Sequence, residues 1–430
     1  MALPNFKIFD LRGRNLRLES REDALLYIGE LDASIVEEIY LADVTFGVGA
    51  AEALGEVIKK IKHLKVAGLS DIFIGRSTNE VLKALPLICN ALIDKPSLVE
   101  LDLSNNAIGA RVVDILVPLL TQNRHIEVLK LNNNGFGPEA GTIVANALIE
   151  AARLSTNLGQ ASQLRVVMCG RNRLENESAT AWARAFAAHP NLQQVELQNN
   201  GIREEGFGAI LRGLACCGDL RYLNLRDNNS MDAYPGIDFA MSEREHHGWQ
   251  ALKELLPAVR KLRFLDLSDC GLNAPGSMAL VHALADGHQK ELETLLLENN
   301  DIVDNVYKDL VSVLSDRLPA LTTLGLACNE DLESDVVSAL NAMLEARGGR
   351  VVIEDEDEDL PEEKGVDAAR TEVPNQGSVG DDDEILSDLA NMFGVMDIGD
   401  QDSKVNREYV QIVLRCFMFV LLLALYFLLR

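Results

Sequence analysis

Residues 129–137, LKLNNNGFG, decide how the rest of the chain reads. Leu129 and Leu131 alternate with Lys130 and Asn132, so a short strand here buries the leucines and turns the polar pair outward. Asn134 ends that strand. After Gly135, Phe136 and Gly137 comes PEAGTIVANALIEAARL, which sets Ala140, Ile143, Val144, Ala147, Leu148 and Ala151 on one helical face. Pro138 stands where a first helical turn tolerates it. Strand, asparagine turn and amphipathic helix form one unit.

That unit recurs. The pattern LxxLxLxxN first matches in full at Leu98, Leu101, Leu103 and Asn106, and it returns ending at Asn134, Asn172, Asn200, Asn228, Cys270, Asn300 and Asn329. Two weaker versions precede it, with Val44 and Ile72 at the asparagine position. From Val44 onward the successive ends are 28, 34, 28, 38, 28, 28, 42, 30 and 29 residues apart. A base period near 28 with three insertions is a leucine-rich repeat of the long type, one strand and one full helix per repeat. A single unit cannot bury its apolar face, so the units must stack around a shared core. The expected fold is an α/β leucine-rich-repeat solenoid, a ribonuclease-inhibitor-like horseshoe with strands on the concave side and helices on the convex side. The asparagines that end the strands are expected to bond backbone groups left open by the turn.

Residues 1–35, with the strand-like FKIFDLRGRNLRL and apolar positions at Leu25, Leu26, Ile28 and Leu31, read as an N-terminal cap. Residues 36–350 are the repeat domain, closed by a last helix that Gly348 and Gly349 terminate. The 42-residue spacing before Cys270 holds an insertion with the adjacent pair His246 and His247, a projecting surface loop that either tunes partner contacts or is neutral. Residues 351–405 form an acidic tail. Its segment 354–363, EDEDEDLPEE, has eight carboxylates in ten positions, too self-repelling to fold. Within the tail, ILSDLANMFGVM (385–396) is either a fluctuating segment or a docking motif. Residues 406–430 are hydrophobic. Ile412 to Leu429, interrupted by Arg415, makes a helix of roughly 27 Å against a hydrocarbon core of about 30 Å, a candidate tail anchor or a stretch that is not inserted.

The formal charge of the chain is -26: residues 1–350 carry -13, residues 351–410 carry -15, and Arg415 and Arg430 add +2. Acidity of both parts disfavours nucleic-acid phosphate and favours a protein partner with a basic face. Seven cysteines without a CxxC spacing, and histidines without metal spacing, form neither a disulfide framework nor a zinc site. MALPNFKIFD lacks a basic region followed by an apolar run, so no secretory signal is visible and a reducing cytosol is expected. GxSxG, HExxH and GxxxxGK[ST] are all missing, which argues against an enzyme with its own substrate chemistry.

A few residues exceed what the repeat demands. Arg76 precedes Ser77, which with Glu80 forms a capping box, and a cation there gains nothing from the helix dipole. Its plain reading is a solvated loop arginine. Asn133 precedes the structural Asn134, is not required by the repeat, and should point out at the rim with Asn132 beside it. Arg171 holds the same rim place in the next repeat, and Arg173 follows.

The stretches SDIFIGRSTNE (70–80), LNNNGFGPEAG (131–141), CGRNRLEN (169–176) and QNNGIREEG (198–206), in this order before an acidic tail, resemble the Ran GTPase-activating protein family over about residues 5–360. The resemblance implies a crescent that binds the GTP-bound small GTPase Ran, alone or together with a Ran-binding protein, and accelerates its GTP hydrolysis in support of nucleocytoplasmic transport. It implies that Asn133 acts on the GTPase's own catalytic glutamine, and that Arg76 anchors the complex without being an inserted arginine finger. By the same resemblance Asn132, Arg171 and Arg173 are contact residues, and Glu354, Asp355, Glu356 and Asp357 steer a basic patch on Ran. No cofactor of its own is implied, since GTP and Mg belong to the partner. The long insertion after Asn228 and the hydrophobic end depart from the family. That end suggests anchoring at the cytosolic face of the nuclear envelope or endoplasmic reticulum in place of the usual animal route. A non-activating scaffold or inhibitor with the same repeats is the competing function.

Overall fold

The structure, a computed structural model, describes residues 7–29, 31–228, 248–329 and 333–353. The chain divides into two compact units, Met1–Glu358 and Asp359–Arg430, and the second lies outside the described residues. So do His246, His247, Glu354 to Asp357, the segment 385–396 and the apolar run 412–429. Among the described residues no helix is long and apolar enough to cross a membrane.

In chain order the strands are β1 (Ile8–Asp10), β2 (Arg17–Leu18), β3 (Glu38–Tyr40), β4 (Thr45–Phe46), β5 (Val66–Gly68), β6 (Glu100–Asp102), β7 (Val128–Lys130), β8 (Val166–Met168), β9 (Gln194–Glu196), β10 (Tyr222–Asn224), β11 (Phe264–Asp266), β12 (Thr294–Leu296), β13 (Thr323–Gly325) and β14 (Arg350–Val352). Twelve of them form one parallel sheet, ordered β1, β3 and then β5 through β14, while β2 and β4 pair separately. The register is the repeat itself: Leu101 faces Leu129, which faces Val167, which faces Val195. These central residues are all buried, as the alternating pattern requires.

Between the strands run α1 (Arg21–Ile28), α2 (Val48–Lys60), α3 (Thr78–Leu92), α4 (Gly109–Val112), α5 (Leu116–Gln122), α6 (Gly137–Asn157), α7 (Glu175–Ala188), α8 (Glu204–Leu214), α9 (Leu252–Ala258), α10 (Asn273–Ala285), α11 (Asp304–Arg317) and α12 (Ser334–Glu345). Each lays an apolar stripe on the sheet, so one continuous core runs from Leu11 to Leu344. Strands sit about 4.8 Å apart and packed helices about 8–10 Å apart, so such a stack must curve with its strands inside.

The buried asparagines tie repeat to repeat. Asn134 Nδ2 donates to Leu131 O of its own strand and Leu103 O of the preceding one, both at 3.0 Å, while its Oδ1 accepts from Asn106 N at 3.0 Å. Asn172 Oδ1 accepts from Asn134 N (2.9 Å), Asn200 from Asn172 (2.8 Å) and Asn228 from Asn200 (3.0 Å). At Cys270 a thiol stands in for the amide: its Sγ contacts Leu225 O and Ser268 O and receives the Asn228 backbone N–H, and Asn300 accepts from Cys270 N.

Two expectations about the ends need correction. Leu25 and Leu26 are exposed, at 39% and 79%, because α1 turns Ala24 and Ile28 inward. Residues 350–352, where composition points to the start of the tail, are the last strand of the sheet, with Val351 beside Leu324. Gly349 allows this turn, since a Cβ there would meet Thr322 O at 2.1 Å.

The 38-residue spacing before Asn172 holds the long α6, against which the buried His189 of the next repeat packs. His189 bonds Ser162 Oγ through Nδ1 and Leu148 O through Nε2, and burial pushes its pKa down to about 4. Its neutral form is therefore favoured in the fold, and as pH falls through about 6.5 the unfolded chain takes up a proton that the folded one refuses. Between pH 7 and pH 5 the protein should lose about 2 kcal/mol more stability than His189→Gln, as read by urea unfolding at each pH. Asn134→Ala orphans Asn106 N and takes one of two amide donors from Leu103 O and from Leu131 O, and should cost about 2 kcal/mol in the same assay.

Candidate functional site

The candidate residues lie on the edge of the solenoid formed by the turns that follow the strands. In every turn the residue before the ladder position is left-handed: Asp43, Asp71, Asn105, Asn133, Arg171, Asn199, Asp227, Asp269, Asn299 and Cys328 all have φ between 49 and 65°. This conformation aims each amide at the next repeat, as in Asn133 N to Gly170 O (2.9 Å) and Arg171 N to Gln198 O (2.8 Å). Asn and Asp tolerate it best among residues with a side chain. Asn133 is thus partly required by the repeat after all, contrary to expectation, whereas Arg171 departs from the rule. The row is acidic at Asp43 and Asp71 and again at Asp227 and Asp269. Between them Asn105, Asn133, Arg171 and Asn199 make a neutral to cationic gap.

Three of the expected residues come together in that gap. Asn133 is exposed, and its Nδ2 donates to Asn105 Oδ1 at 2.9 Å, while its Oδ1 has no hydrogen-bond partner among the described residues. Asn132 turns the other way, and its Oδ1 accepts from Gly170 N at 2.8 Å. Arg171 follows Gly170 directly, and both Arg171 and Arg173 are exposed without a side-chain hydrogen bond or ion pair among the described residues. Arg173 lies beside Asn199 and Arg203 in an open cleft of about 380 Å³.

Arg76 is not joined to them and is not solvated. Its side chain is 0% exposed, although it lies in the loop between β5 and α3. Its Nε donates to Thr45 Oγ1 (2.9 Å), and one terminal nitrogen donates to Leu18 O (3.1 Å) and Thr45 O (3.2 Å). The other is paired with Glu19 and lies 3.5 Å from Glu80. Arg17 first and then Arg76 hold the Glu19 carboxyl below its ordinary pKa. The arginine clamps the β2–β4 pair against the start of α3. Its partners lie 31, 57 and 58 residues upstream, so no local pattern announces it. Among the described residues no three His, Cys, Asp or Glu side chains gather as metal ligands.

A leucine-rich-repeat family model matches residues 94–111, 122–142 and 260–281. Over 349 residues the chain is 29% identical to Ran GTPase-activating protein 1 of Saccharomyces cerevisiae, covering 78% of this chain and 82% of that one. It is 38% identical over 195 residues to Ran GTPase-activating protein 1 of Xenopus laevis, covering 44% of this chain and 34% of that one. The chain is similar to the leucine-rich-repeat Ran GTPase-activating proteins. With Ran GTPase-activating protein of Drosophila melanogaster it shares 37% identity over 169 residues, or 39% of this chain and 28% of the relative. The match therefore spans most of the yeast relative and about a third or less of these two animal ones.

Arg76→Ala should cost about 2 kcal/mol by leaving the carbonyls of Leu18 and Thr45 without their cation. Amide exchange should rise locally at Thr45 and Gly47, which bond Leu16 O and Leu18 O across the same pair.

Proposed function

We propose that the chain is a GTPase-activating protein for a Ran-type small GTPase in its GTP form, acting in the cytoplasm and supporting nucleocytoplasmic transport. Kinship with Ran GTPase-activating proteins supports the partner class. The observation that carries the mechanism is Asn133, an exposed amide whose donor end is already taken by Asn105. The free carbonyl oxygen suits the NH2 group of a glutamine on the GTPase. Holding that group turns the glutamine's own oxygen toward the attacking water, and in phosphoryl transfer such positioning is most of what a protein can contribute.

GTP and its Mg ion are then the partner's, and this chain supplies no reacting group. Arg76 acts through the cap it clamps and not as a finger, because every nitrogen of its guanidinium is engaged within the chain. Arg171 and Arg173 are left to pair with carboxylates of the GTPase. The acidic rim around them, and the acidic run Glu354 to Asp357 of the sequence, attract a basic surface and speed encounter.

Single-turnover GTP hydrolysis by Ran, with catalytic amounts of the protein, is the direct test. The wild type should accelerate it strongly, and Asn133→Ala should lower the maximal rate on the order of a hundredfold while Ran still binds. Binding without acceleration by the wild type would make the chain a non-activating scaffold.

A further inference from the structure

The position of Asn133 is set by a residue that carries no side chain. Gly170 is gripped from two sides by the preceding repeat: its N–H donates to Asn132 Oδ1 (2.8 Å) and its carbonyl accepts from Asn133 N (2.9 Å). Asn172 Nδ2 adds a third bond to the same carbonyl at 3.0 Å. The corresponding place in other repeats is held by Ser104, Asn132, Gln198, Arg226, Ser268 or Glu298, so a side chain is ordinary there. The backbone of Gly170 is not left-handed, and conformation does not explain the glycine.

Space does. A Cβ on residue 170 would lie 2.6 Å from Gln198 Cδ and 2.8 Å from both Nε2 and Oε1, closer than real contacts allow. The Gln198 amide occupies the volume where a side chain of residue 170 would stand. Its Oε1 is buried without a hydrogen-bond partner, so packing against Gly170 holds it there and no bond does. One amide thus presses on the peptide that fixes Asn132 and Asn133 on one side and leads into Arg171 on the other.

We propose that Gly170 and Gln198 are positioning residues for the proposed activation of GTP hydrolysis: their close contact seats the 170–171 backbone and, through it, Asn133. This rests on the activator function proposed above. A methyl group at 170 must push either the glutamine or the backbone aside by a few tenths of an ångström. An error of that size matters where the task is aligning an amide with a glutamine and a water.

The test uses the full chain in single-turnover hydrolysis by GTP-loaded Ran, with the activator concentration varied and thermal unfolding followed in parallel. Gly170→Ala should lower the maximal rate about tenfold, leave the half-saturating concentration within about twofold, and barely move the unfolding temperature. Gln198→Ala alone should lower the rate about threefold. The double variant should recover to the Gln198→Ala level, because the clash is gone. A structural role alone would not produce that rescue. Full rate in Gly170→Ala, or a double variant as slow as Gly170→Ala, overturns the proposal. Should Gly170→Ala fail to fold, Asn132→Ala loosens the same peptide: a lower maximal rate at unchanged half-saturation supports the proposal, and an undiminished one sinks it. A wild type that does not accelerate hydrolysis removes the activator function and this proposal together, whereas an active wild type indifferent at 170 removes only the latter.

Discussion

Most repeats hang on one buried carboxamide. Where a strand ends and the chain turns toward its helix, backbone groups lose their partners inside the protein, and each unpaired group there costs about 1–3 kcal/mol. Asparagine answers this with both halves of its amide, the nitrogen donating to carbonyls of two adjacent strands and the oxygen accepting from the neighbouring asparagine's N–H. The bonds run from one repeat to the next, so the turns form a ladder as continuous as the sheet. Cys270 shows that a thiol, a weaker donor and acceptor, can stand in for the amide beside the longest insertion.

The edge that carries the candidate site follows from that ladder. Fixing the asparagine inward forces the residue before it into the left-handed region, and this in turn places its side chain at the rim with its amide bound to the next repeat. A row of short polar residues results, set at one-repeat intervals on a rigid frame. The proposed function needs only small edits to it. At Asn133 the residue is the kind the backbone already prefers, and its neighbour Asn105 orients it; at Arg171 a long cation replaces the preferred type. Arg76 stands apart from the row, and its engagement with Leu18, Glu19 and Thr45 makes it part of how the cap is held.

The repeat architecture was legible because its physics is local and periodic: the leucine spacing sets which residues face the core, and the asparagine marks each turn. The family resemblance also rested on contiguous stretches, and it led to Asn133. What escaped notice lies across repeats. Arg76 reads as solvated until β2 and β4 are seen closing over it, since its partners come from the cap. The strand at Arg350–Val352 has no leucine pattern and gains its place by pairing with β13. Gly170 looks like an ordinary turn glycine next to Arg171, and only the Gln198 side chain lying over it explains why it has no Cβ.

By itself the sequence determined that this chain is a leucine-rich-repeat solenoid of acidic composition. Period, hydrophobic face and charge are one-dimensional properties that stacking carries into three dimensions unchanged. Tertiary structure alone decided which way each polar side chain of the rim turns, with Asn132 inward to Gly170, Asn133 outward from Asn105, and Arg76 buried under the cap. Those choices depend on contacts about 28 to 58 residues away in the chain, where the hydrogen-bond partners of one repeat are supplied by another.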